Sequence, residues 1–202
     1  MIIEDGGGKN GHARTTANQQ LITFSISESE LVAATGAGKA LNINTGAIAL
    51  TGTGTSAILY FKNDESPVSG ESDYVVTAIA VGVGTRSATI TDAAVITVLR
   101  NPAAGTIIDN ATNVDMKSNA NFGSSGTLGA TTLAYKGATG YTLTGGTEHA
   151  LLYMTDGRLF AALDIVIPRG AAIGITIDLN TSGGANVYCA LVGYRKDGGN
   201  KV

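Results

Sequence analysis

With 202 residues and a formal net charge of −3, the chain has room for one domain plus an arm, and it can bury a core without disulfide staples. Charged residues are only 14% and hydrophobic residues 44%, with 28 glycines, which suits a β-rich chain with a hydroxyl- and amide-covered surface. Its few Lys and Arg residues are scattered, so a nucleic-acid partner is not expected, and the single cysteine excludes an intramolecular disulfide.

The chain opens MIIEDGGGKNGHARTTANQQ, with Ile2 and Ile3 at the tip and almost nothing else apolar. Neither strand nor helix periodicity appears there, so residues 1–20 are predicted to form an extended N-terminal arm. Acids and glycines stand where a signal peptide needs an apolar run. No stretch approaches the roughly 20 apolar residues that span a bilayer. Synthesis in a cytoplasm, and no membrane partner, are therefore expected.

A period of two begins near Leu21. Weak strands are predicted at 21–26 and 40–50, with a short helix at 28–35 between them. Ser27 and Glu30 have capping-box spacing for that helix, and Gly36 is placed to stop it. In SAILYFKN, Ala57, Leu59 and Phe61 are predicted to share one face, with Ile58 and Tyr60 on the other. In YVVTAIAVGVG, Val75, Thr77, Ile79, Val81 and Val83 share a face. The opposite side carries the small residues Ala78, Ala80 and Gly82, which permit close approach of another surface.

Weaker strands follow at 94–100, 106–109, 131–135 and near 149–154. RLFAALDIVIP puts Leu159, Ala161, Leu163, Ile165 and Ile167 on one side. AAIGITIDLN points Ile173, Ile175, Ile177 and Leu179 inward, with Gly174, Thr176 and Asp178 outward, and NVYCALVGYRKD closes the series. The polar, glycine-rich stretch at about 110–147 is predicted as an excursion from the body. No helices alternate with the strands, so the expected class is all-β: an antiparallel, jelly-roll-like β-sandwich over 21–202 as a single domain.

Candidate chemistry is sparse. ATGAGKA lacks the leading Gly and the trailing Ser or Thr of a phosphate loop, and is predicted as a turn before a strand. GTGTS at 52–56 is predicted as a hairpin turn, since no βαβ context surrounds it. His12 and His149 have no visible nucleophile or third partner, and Glu148–His149 falls short of the three or four ligands a metal needs. No catalytic residue, metal site or cofactor is assigned. Cys189, inside NVYCALVGY, is expected to be a small buried hydrophobe. A glycan site would need an aromatic platform; without Trp, Tyr135 and Tyr141 are its best candidates.

The segments MIIEDG, LITFSISESE, LNINTG, ILYFKN, NFGSSGTL, VIPRGAAIGITID and NVYCALVGY together resemble a group of virion structural proteins of tailed bacteriophages. That resemblance implies a β-sandwich used as a capsid decoration or cement protein, a head fibre or a tail component, and it carries no catalytic residue. The expected function is thus a non-enzymatic decoration protein in the virion, made in the host bacterial cytoplasm. Its expected partners are copies of itself, a trimer being favoured, and the major capsid or other virion proteins. The arm would dock Ile2 and Ile3 on a neighbour, and Ala78, Ala80 and Gly82 would pack against another surface. The alternative is a tail or fibre component that binds a host surface glycan.

Overall fold

A computed structural model describes residues 14–15, 21–22, 30–51, 54–64, 72–86, 93–119, 122–123, 132–181 and 183–197. The chain divides into two compact units, Met1–Glu30 and Leu31–Val202. In the first, β1 (Arg14–Thr15) pairs antiparallel with β2 (Leu21–Ile22). Ile2, Ile3 and Ser27 lie outside the described residues, as does the rest of the strand predicted at 21–26.

The second unit is an all-β sandwich of two antiparallel six-stranded sheets. The front sheet runs β12 (Arg158–Ile167), β6 (Ser72–Arg86), β14 (Ala185–Asp197), β3 (Ala40–Asn44) and β9 (Met116–Asn119), with β4 (Ile48–Leu50) also on β14. The back sheet runs β11 (Thr147–Met154), β7 (Ala94–Arg100), β13 (Ala172–Asp178), β5 (Thr55–Lys62), β10 (Leu133–Lys136) and β8 (Thr112–Asn113). From β5 to β6 to β7, and again from β11 through β14, each successive strand crosses to the other sheet. Ile58, Phe61, Ile79, Ile96, Ile175 and Leu191 meet in the core between the sheets, each at most 2% exposed.

Two bulges correct the predicted faces. β13 pairs Ile175 with Leu59 but Thr176 with Ala57, so Ile58 is an extra residue in β5. Such a bulge reverses the alternation. Ile58 joins Leu59 and Phe61 in the core, while Ala57 sits with Tyr60 on the outer side of the back sheet. In β6, Val192 pairs with Ala78 and Gly193 with Val76, leaving Thr77 unpaired by register; its hydroxyl donates to the Val192 carbonyl at 3.1 Å. Tyr74 and Val76 therefore enter the core with Ile79 and Val81. Val75 turns outward against Ala40, Tyr194 and Ala34. Gly193 makes this possible, because a β-carbon there would strike the Val75 carbonyl.

Other predicted elements change as well. The single strand at 40–50 is two, β3 and β4, broken at Thr45–Gly46, where Gly46 has φ 67°. Buried Thr45 holds the break: its hydroxyl accepts from the Cys189 amide at 3.0 Å. The strand expected at 106–109 is a one-turn helix, α2 (Thr106–Asp109), whose Ile107 packs on Tyr60 and Ala57 rather than into a sheet. Helix α1 (Glu30–Gly36) is terminated by Gly38, not Gly36: Gly38 has φ 70°, Lys39 donates to the Ala34 carbonyl and Gly38 to that of Thr35. That is a Schellman ending. β4 and β5 lie in different sheets and do not pair as a hairpin, while Gly52 and Thr53 of the predicted turn lie outside the described residues. Within 110–147, β8 and β10 extend the back sheet and β9 the front one, so these strands belong to the sandwich.

Candidate interaction surfaces

The outer sides of the two sheets differ. On the back sheet, α2 and the segment around Tyr141 and Leu143 cover Ala57, Tyr60 and Ala172. β13 is consequently buried on both faces, and Thr176, predicted to point outward, is only 7% exposed. On the front sheet, α1 lies over Val75 and Tyr194. Beyond α1 the small residues come together. The register places Phe160, Ala80, Ala190 and Asn44 in one cross-strand row. Arg158, Gly82 and Tyr188 form the next row, and Ala162, Ala78 and Val192 the row on the other side.

The result is a shallow hollow of about 660 Å³ with Ala80, Gly82 and Ala190 in its floor. Phe160, 71% exposed, and Tyr188, 43% exposed, form its walls. The walls stand two strands apart, roughly 10 Å at about 4.8 Å per strand. Tyr188 leans over Gly84, where a β-carbon would come within 3.2 Å of its ring. Among the described residues, Arg158 is the one charged residue lining the hollow. The fold thus brings Ala78, Ala80 and Gly82 to one side, Ala78 itself being buried. Phe160 and Tyr188 were not singled out from the sequence, although the alternation in RLFAALDIVIP already turns Phe160 outward.

A cleft of about 450 Å³ opens beside β12. Asp73, Arg100, His149 and Asp164 ring it, above Val98 and Ile173. His149 and Glu148 are exposed on the edge strand β11, where the register slips between Glu148 and Ala150. No three His, Cys, Asp or Glu side chains among the described residues converge as metal ligands. His12 lies outside the described residues. Of the tyrosines weighed for glycan binding, Tyr135 stacks on Tyr60 with ring centroids 5.9 Å apart, and Tyr141 packs in the same cluster. Their faces are engaged with the protein itself. Cys189 is buried as expected, and burial pushes its thiol up to about 12.

No described helix is long and apolar enough to cross a membrane. Comparisons with protein-family models, with curated proteins and with solved structures give no match.

Proposed function

We propose that the chain is a non-enzymatic virion structural protein of a tailed bacteriophage, acting as a capsid decoration or cement subunit. The observation that carries this reading is the hollow on the front sheet, a small-residue floor between Phe160 and Tyr188, on a sandwich whose back sheet is covered by its own chain over Ala57, Tyr60 and Ala172. Flat, charge-poor surfaces with aromatic rims suit protein–protein contact, where Tyr and Phe supply buried area and Lys and Glu are depleted. The sequence resemblance points the same way. So does the strand order: β3/β4-β14-β6-β12 facing β5-β13-β7-β11 supports a jelly roll. The proposed oligomer is a trimer. One copy's hollow receiving a different patch of the next is a head-to-tail contact, and such contacts make a closed trimer when the rotation between copies is one third of a turn.

The test is particle binding. Ala80→Lys puts a charge in the floor of the hollow without touching the core. It should leave the melting temperature within a few degrees while abolishing incorporation into virions. Incorporation at the wild-type level would refute the reading. The cleft beside β12 favours a second reading, a glycan-binding tail or fibre component, because polar groups ring an apolar floor there. Saccharide binding that is lost in Asp164→Ala, with particle incorporation unaffected by Ala80→Lys, would favour it instead.

A further inference from the structure

β12 ends the front sheet, and no described strand pairs with its outer side. Edge strands are normally kept short or guarded by Lys, Pro or bulges, because their open backbone groups recruit other chains. β12 is neither short nor guarded by Lys or Pro within its length, and its one irregularity is the register slip against β6 between Ala162 and Ile165. It runs ten residues, RLFAALDIVI, with Arg158 and Asp164 as its only charges. Its side chains alternate without a break, the register slip against β6 notwithstanding. Phe160 is 71% exposed and Val166 55%, while the inward Leu159, Leu163 and Ile165 are only half buried. Ile79, on the adjacent strand, is fully buried. The sandwich is therefore incompletely closed along this edge.

We propose that this edge pairs with β12 of a second copy of the same chain, antiparallel about a twofold axis at Ala161. The backbone sets the parity. Gly157 accepts a hydrogen bond from Val83 of β6, so pairing alternation turns the N–H and C=O of Arg158, Phe160 and Ala162 to the open side. A twofold centred on Ala161 then brings even-numbered residues against even-numbered residues. Phe160 exchanges both backbone bonds with the second copy's Ala162, and large meets small on the outer face. Arg158 lies opposite the second copy's Asp164, and Asp164 opposite its Arg158. On the inner face Leu159 meets the second copy's Leu163, and Ala161 meets Ala161.

Charge complementarity selects this register. Sliding the pair two residues one way sets Asp164 opposite the second copy's Asp156. Sliding it the other way sets Asp164 opposite Phe160. Only the central register pairs both charges and matches the large and small residues. The contact is a property of the purified chain and does not depend on a virion role or on a trimer.

A charge-swap experiment tests it by sedimentation of the full-length chain at about 10–50 µM, a range that reveals weak association. The wild type pairs. Arg158→Asp and Asp164→Arg each set like charges opposite one another twice, so each weakens pairing by about tenfold or more. An equimolar mixture of the two variants restores both ion pairs and pairs again, as does the double variant R158D/D164R. Both sites are exposed, and unchanged melting curves verify folding. In a second arm, Ala161→Cys forms a covalent pair on oxidation, because directly opposed residues at a non-hydrogen-bonded site lie about 4.5 Å apart at Cα, within disulfide reach. Phe160→Cys, displaced from its own copy, does not, and buried Cys189 stays silent. Wild type that remains single, variants that pair as well as wild type, a mixture that stays apart, or cross-linking at Phe160→Cys in place of Ala161→Cys would each overturn the proposal.

Discussion

Gly137 lies against Ala57: its amide donates to the neighbouring Ile58 carbonyl at 3.1 Å, and a β-carbon on it would overlap the Ala57 carbonyl oxygen. The chain leaves β10 here and passes over β5 at backbone distance. Gly137→Ala must push that crossing apart, at a cost of about 1–3 kcal/mol, as overpacking does. Gly82→Ala, with nothing within 4 Å of the new atom, should stay within about 0.5 kcal/mol of wild type. Urea unfolding of the two variants checks both, and equal effects would contradict the packing described.

Ile175 is fully buried in the central strand of the back sheet. Ile175→Ala should cost about 2–5 kcal/mol, the range for buried Ile truncation. The sequence alone makes Thr176 an outward, inexpensive position. Under its cover of chain it is 7% exposed, so Thr176→Ala should cost about 1 kcal/mol, a measurable loss for a small side chain. Denaturant midpoints of the pair would show whether the outer face of β13 is sealed.

Alkaline pH should destabilise the fold through Cys189 and Tyr60. Burial raises the Cys189 thiol from 9.0 to about 12, and burial raises Tyr60 as well, helped by the nearby charges of Tyr135 and Asp64. Both groups hold their protons more tightly folded than unfolded. The stability they contribute is whole below pH 9 and falls as pH rises toward about 12. Thermal melts from pH 7 to 11 should show that decline. A thiol reagent at pH 8 should label Cys189 only at the rate of unfolding; rapid labelling of the native protein would contradict its burial.

Met1–Glu30 is one of the two compact units of the chain, and the sandwich belongs to the other. Deleting Met1–Gln20 should leave the melting of the sandwich nearly unchanged, and, if the chain is the proposed virion subunit and the predicted arm docks on a neighbour, incorporation into particles falls. Replacing Ile2 and Ile3 with Ser is the narrower version, removing roughly 1.5–3 kcal/mol per side chain if each is buried at a contact. Particle binding as strong as that of the full chain would end the docking role of the arm.

The alternation of apolar and polar residues, read residue by residue, was enough to identify an all-β sandwich and most of its long strands, because a sheet with one buried face imposes a period of two on its own chain. The inward set Ile173, Ile175, Ile177 and Leu179 was legible for that reason, as was buried Cys189. Features that depend on a neighbouring strand were not. The bulges at Ile58 and Thr77 exist only because β13 and β14 offer one residue fewer at those points, so no local pattern announces them. Thr106–Asp109 has the β-branched look of a strand, yet it coils into a helix to cover Tyr60. The hollow needed Phe160, Ala80 and Tyr188, distant in sequence, to be set side by side by register. Local periodicity is a property of one strand against one core; bulges, covered faces and grooves are set by how several strands are spaced against each other, and only the folded sheets determine that.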